Sequence, residues 1–102
     1  MPNLDWSNLG FKVVETNTMI VSRYKDGKWS EPVSVSPTSM ELNPFAGVCH
    51  YASSCFEGLK AFRGADGKVR IFRPDENAAR LIRSAEYIGL TAPSAELFTD
   101  MV

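Results

Sequence analysis

Two Asp-Gly pairs, Asp26-Gly27 and Asp66-Gly67, each stand between runs of β-forming residues, and that placement narrows the folds open to this 102-residue chain. Asp and Gly tolerate the positive φ that a tight reversal demands, so each pair marks the tip of an antiparallel hairpin. Residues 18–24, TMIVSRY, are rich in β-formers, and KWSEPVSVS returns on the far side of the first turn. The second pair sits inside LKAFRGADGKVRIFRP, where LKAFR and KVRIF both alternate. Val69 and Ile71 face one way there, and Lys68, Arg70 and Phe72 the other. Between the hairpins, SPTSMELNPFAG at 36–47 is punctuated by Pro37 and Pro44 and is expected to be a connecting loop with at most one short extended piece.

From Pro74 the hydrophobic period becomes that of a helix. Proline at a first helical position sacrifices no hydrogen bond, and Asp75 and Glu76 suit the positive end of the helix dipole. Ala78, Leu81, Ile82, Ala85 and Ile88 form one apolar stripe. Gly89 or the segment Leu90-Thr91-Ala92-Pro93 ends it, and Ser94 is placed to cap a second helix, SAELFTDMV. The expected class is α+β: antiparallel β-hairpins forming a small sheet packed against one or two helices. A chain of this length supports one domain, which buries about 60–70% of the surface its unfolded chain exposes.

Charge is unevenly distributed. Eleven Lys and Arg against twelve Asp and Glu give a net charge of −1, which argues against a general nucleic-acid binder. Yet Lys60, Arg63, Lys68, Arg70, Arg73, Arg80 and Arg83 face only Asp66, Asp75 and Glu76 within 60–83, so that window is net +4 and suits an anion. The first 20 residues hold no basic run followed by an apolar stretch, and the expected setting is the cytoplasm, with no membrane span. In that setting Cys49 and Cys55, five residues apart, are expected as free thiols and small packing residues. His50 has no cluster of Cys, His or carboxylates at metal spacing around it, so it is expected to be a hydrogen-bonded structural histidine, and no metal is expected.

Arg80 is the side chain with two readings. On a helix starting near 74 it points away from the apolar stripe, in a row with Glu76, Arg83 and Tyr87. It is then either a solvated arginine paired with Glu76 four residues earlier, a pair contributing about 0.2–0.5 kcal/mol, or a planar guanidinium able to take two phosphate oxygens at once.

The run CFEGLKAFRGADGKVRIFRPDENAARLIRSAE resembles the N-terminal part of branched-chain amino acid aminotransferases, class IV (fold type IV) pyridoxal-phosphate enzymes. FEGLKAFR at 56–63, the ADG turn, RIFRP at 70–74 and NAARLIRSA at 77–85 carry it, with DWSNLGF and YKDGKWSE upstream. The resemblance implies that Arg80 holds the cofactor phosphate. It implies that Tyr51, in HYASS, and Phe56, opening FEGLK, line the pocket for the aliphatic side chain; the other reading of these two is core or domain-interface packing. Lys60 matches a motif position near the site and not the lysine that carries the cofactor. The chain departs from the family at Ala52-Ser53-Ser54-Cys55, where relatives commonly carry Gly-Gln.

On this reading residues 1–102 are the small N-terminal domain, and the large domain with the cofactor lysine, the acid partner of the pyridine nitrogen and a phosphate-binding helix end lies outside the chain. Pyridoxal 5'-phosphate is therefore not expected to bind covalently here, and no catalytic residue is expected among the 102. The parent enzyme would move an amino group between leucine, isoleucine or valine and 2-oxoglutarate, as a homodimer, with amino acids and oxo acids as its small-molecule partners. The alternatives are another class IV enzyme, a D-amino acid aminotransferase or aminodeoxychorismate lyase, and a non-catalytic domain that binds an anion or a partner through the basic face.

Overall fold

The computed structural model describes residues 6–8, 10, 13–37 and 39–102, which form two compact units, Met1–Leu42 and Asn43–Val102. Leu9, Phe11 and the residues up to Asp5 lie outside the described part, and with them much of the DWSNLGF motif.

In the first unit, a 3-10 turn at Trp6–Asn8 precedes one long hairpin made of β1 (Met19–Val21), β2 (Tyr24–Lys25), β3 (Lys28–Trp29) and β4 (Val33–Val35). Its tip is the expected one. Asp26 at φ 51° and Gly27 at φ 81° are both left-handed, which is the reversal whose twist matches the flanking strands. Next to the tip, Tyr24 and Trp29 are directly opposed, with ring centroids 5.5 Å apart. Further out the ladder breaks. Ser22 and Arg23 on one strand face Ser30, Glu31 and Pro32 on the other, an extra residue that shifts the register between Tyr24↔Trp29 and Val21↔Val33. Pro32, with no N–H to give, sits in this bulge. Two hydroxyls bridge the gap: Ser30 Oγ accepts from the Arg23 amide at 3.0 Å and Ser22 Oγ donates to the Ser30 carbonyl at 2.6 Å.

The second unit holds α1 (Gly47–Tyr51), β5 (Ala61–Arg63), β6 (Val69–Ile71), α2 (Pro74–Tyr87) and α3 (Ala95–Met101). β5 and β6 pair antiparallel around the second Asp-Gly, but the same dipeptide builds a different turn. Only Gly67, at φ 76°, is left-handed; the Gly67 amide donates to the Gly64 carbonyl at 2.9 Å and the Gly64 amide to the Lys68 carbonyl at 2.8 Å, giving a five-residue loop. Asp66 turns its carboxylate onto the Lys68 amide at 3.1 Å and takes a fork from Arg70 at 2.9 and 2.6 Å.

The α+β class and the antiparallel hairpins match the sequence expectation, but the strands do not merge into one sheet: the described residues form three separate two-stranded ladders. The strands are two or three residues long because the first hairpin is bulged at Pro32 and the second is cut off at Arg73, which turns left-handed at φ 45° to start α2. The connecting segment 36–47 carries no strand among its described residues. It leads into α1, which the sequence reading did not anticipate.

Helix α2 has Pro74 in its first turn, as expected, and ends in a Schellman arrangement. Gly89, at φ 74°, donates to the Glu86 carbonyl at 3.1 Å, and the Leu90 amide reaches back to the Ala85 carbonyl at 2.8 Å. Ser94 caps α3 by accepting from the Leu97 amide at 3.1 Å. Of the apolar stripe, Ala78 and Ala85 are fully buried, Leu81 and Ile82 are half-buried, and Ile88 is exposed. No described helix is long and apolar enough to cross a membrane.

Candidate functional site

Burial alternates from Ser53 to Lys60, with Ser53, Cys55, Glu57 and Leu59 turned inward and Ser54, Phe56, Gly58 and Lys60 outward. Period two is the signature of extended backbone, though this segment joins no ladder among the described residues. The consequence is chemical: Glu57 is driven against α2 while its neighbour Phe56 is left facing solvent. The Glu57 side chain is only 4% exposed.

A buried carboxylate must be compensated, and α2 supplies the donors. Asn77 and Arg80 are three residues apart on the helix and therefore neighbours on its surface. Arg80 Nε donates to Glu57 Oε2 at 2.7 Å and Arg80 Nη2 to Glu57 Oε1, a two-point fork. Asn77 Nδ2 donates to Oε1 at 3.0 Å and also to the Gly58 carbonyl at 3.1 Å, and the Gly58 amide donates to Oε1 at 2.9 Å. The Arg80 bonds, then that of Asn77, hold the Glu57 carboxyl at about 2, against an ordinary 4.5, and outweigh the opposing effect of burial. The same fork raises the Arg80 guanidinium.

Arg80 itself remains open, with a side chain 61% exposed. Guanidinium carries five N–H donors, and Glu57 engages one edge, that of Nε and Nη2. The end-on edge of Nη1 and Nη2 takes no part in that fork, on a side chain that is mostly exposed. This corrects the expected Glu76–Arg80 pair: Glu76 instead binds Arg73, at 2.5 Å, because Arg73 lies just ahead of the first turn with its guanidinium over the acidic residues there. The anion-holding block is thus partly satisfied from within. Arg70, Arg73 and Arg80 are paired with Asp66, Glu76 and Glu57, whereas Lys60, Arg63, Lys68 and Arg83 make no ion pair among the described residues, Arg63 donating instead to the Gly67 carbonyl at 2.8 Å.

Tyr51 ends α1 and is 84% exposed, and Phe56 is 91% exposed. Neither is core in this unit. A groove of about 440 Å³ does open beside Asn77, bordered by Gly58, Leu59, Lys60, Phe62 and Phe72. It puts Lys60 among aromatics at one of the ties that hold Glu57.

His50 Nε2 lies 2.6 Å from the Pro44 carbonyl. A carbonyl only accepts, so Nε2 carries the proton and the ring fastens the start of α1, as expected of a structural histidine. Cys49 and Cys55 are free thiols, but Cys49 is exposed and so does not fill a packing position. No group of three or more His, Cys, Asp or Glu able to hold a metal occurs among the described residues.

Glu57 and Asn77 were not singled out by the sequence reading. One signal was present: Glu57 is the only acid between Glu41 and Asp66, set among Lys60 and Arg63, where an unpaired carboxylate would have no reason to be buried.

No family model matches the chain. It is 45% identical over 98 residues to a branched-chain-amino-acid aminotransferase of Helicobacter pylori, covering 96% of this chain and 29% of the relative. It is 39% identical over 98 residues to the enzyme of the same name from Haemophilus influenzae, with the same coverage. A methionine aminotransferase of Arabidopsis thaliana is 36% identical over 101 residues, 98% of this chain and 28% of that protein. The chain therefore spans less than a third of the length of the curated relatives it matches.

Proposed function

From its similarity, along nearly its whole length, to branched-chain-amino-acid aminotransferases, we propose that the chain is the small N-terminal portion of such an enzyme. The intact enzyme is proposed to be a homodimer acting in the cytoplasm, exchanging an amino group between leucine, isoleucine or valine and 2-oxoglutarate. The observation that carries the reading within the chain is the state of Arg80: fixed on one edge by Glu57, open on the other, and on the polar face of α2.

Pyridoxal 5'-phosphate, when bound, supplies the electron sink that lets the amino group leave the α-carbon. The residues present fit one part of that cofactor. A planar guanidinium with a free two-donor edge matches a phosphate, whose oxygens it takes by charge-assisted hydrogen bonds. No lysine of this chain is assigned the covalent attachment, and no residue here is assigned the proton transfer. Tyr51 and Phe56 are proposed as apolar walls for the substrate side chain, a role their outward placement leaves open to a second surface.

The test uses the intact gene product. Wild type should transaminate leucine, isoleucine and valine with 2-oxoglutarate, and methionine belongs in the panel because one relative is a methionine aminotransferase. Arg80→Ala should weaken retention of pyridoxal phosphate roughly ten- to a hundredfold, the range for a lost pair of bonds to a charged group. Alanine favours the helix, so α2 should survive the change. Unchanged cofactor affinity in Arg80→Ala would return the residue to the solvated face of α2.

A further inference from the structure

The Glu57 carboxylate is more heavily bonded than a structural ion pair on a helix face requires. Its side chain is almost fully buried and takes its partners from two directions, its own segment through the Gly58 amide and α2 through Asn77 and Arg80. An arginine has many rotamers, and an exposed one ordinarily samples them, so fixing it costs side-chain entropy. Here that freedom is already removed. With Nε and Nη2 bound, the plane of the guanidinium is set by the carboxylate, and its remaining donors point in one fixed direction.

We propose that Glu57 is the positioning residue of the phosphate site: its carboxylate, held in turn by Asn77 and the Gly58 amide, fixes the guanidinium plane of Arg80 so that the outer Nη1/Nη2 edge is presented ready-made to the phosphate group of the cofactor. This rests on the reading of Arg80 given above and extends it inward by one layer. The arrangement follows the general logic of binding sites in which the contacting group is oriented by a second, buried partner.

Two opposite effects are combined in Glu57, and the geometry says which should dominate. Its negative charge lies near any bound phosphate and repels it. Its fork, however, spares the ligand the entropy of ordering Arg80 and keeps both outer donors aligned. Two variants separate the contributions. Glu57→Gln removes the charge and one half of the fork, because an amide offers a single acceptor oxygen. Glu57→Asp keeps the charge but is one methylene too short to reach Arg80 from the same backbone position.

The experiment measures, in the intact gene product, the affinity for pyridoxal 5'-phosphate and for pyridoxal, which lacks the phosphate, together with the melting temperature. Glu57→Gln and Glu57→Asp should each weaken binding of pyridoxal phosphate by roughly five- to twentyfold while leaving pyridoxal binding unchanged, a loss smaller than that of Arg80→Ala. Asn77→Ala should show the same pattern more weakly. Parallel losses for both ligands would mean that Glu57 merely supports the fold, and would overturn the proposal. So would unchanged or tighter phosphate binding in Glu57→Asp. If Arg80→Ala itself has no effect on either ligand, the phosphate reading of Arg80 fails; if Arg80→Ala weakens binding and the Glu57 variants do not, only the positioning role fails.

Discussion

Phe56 and Glu57 are consecutive, and an extended backbone sends them to opposite sides, so one dipeptide contributes a buried acid to the Arg80 cluster and an exposed aromatic to the outer surface. That exposure decides between two roles for Phe56. A core phenylalanine truncated to alanine costs about 3–5 kcal/mol, whereas an exposed side chain away from caps and networks is worth within about half a kcal/mol. At 91% exposure Phe56 belongs to the second case within this unit. If it walls the substrate pocket of the intact enzyme, Phe56→Ala should leave the melting temperature nearly unmoved. It should change the ratios of kcat/KM among valine, leucine and phenylalanine by roughly tenfold or more, since one methylene in an apolar pocket is worth about 1–3 kcal/mol. Tyr51→Phe, which keeps the ring, should shift the ratios less. A large drop in melting temperature with unchanged ratios would make Phe56 a packing residue and remove it from the pocket.

The elements are held at their ends more than along their lengths. Helix α2 buries two alanines completely, a small apolar area, but its C-terminus is closed by the paired Ala85–Leu90 and Glu86–Gly89 bonds. Four residues later Ser94 opens α3 through its hydroxyl. Between Gly89 and Ser94 the chain is short, so the cap fixes where α3 starts as it docks on α2. Ser94→Ala should therefore cost about 1 kcal/mol, the ordinary value of an N-cap, and Ser94→Asp should be close to neutral because aspartate caps as well. Denaturant midpoints of the two variants check this, and equal losses in both would show that the cap contributes nothing. These ends were also the most legible parts of the sequence. Pro74, Gly89, Ser94 and both Asp-Gly turns act through their own backbone geometry, which needs no knowledge of the rest of the chain. Helix α1 carried no such signal: its cap residue Ala46 makes no side-chain bond, and no acidic residue stands in its first turn.

Across the whole molecule, what local chemistry could not show is what depends on distance. Glu57 and Arg80 are 23 residues apart, and nothing in the helical period of α2 could choose Glu57 over the nearer Glu76. The turn at Asp66-Gly67 was legible as a turn, but not the fork by which Asp66 takes Arg70. Glu57, bound across 23 residues, and Asp66, bound within its own turn, carry the same thermodynamic signature. Glu57 lies at about 2 and Asp66 is also lowered, each chiefly by an arginine hydrogen bond. A carboxyl with a depressed folded-state value stabilises the fold at pH above its unfolded value and loses that contribution as pH falls toward the folded one. For Glu57 the window runs from about 4.5 down to about 2. Melting temperatures of wild type and Glu57→Gln, followed through that window, should differ most at neutral pH. They should draw together as the pH falls, because the wild-type carboxyl then takes up the proton that cancels its hold on Arg80. Between pH 6 and 8 the difference should be constant, since Glu57 is fully ionised there. Parallel curves down to pH 2 would show that the Glu57–Arg80 fork contributes no charge-dependent stability, and would leave burial of the side chain as the reason for its place against α2.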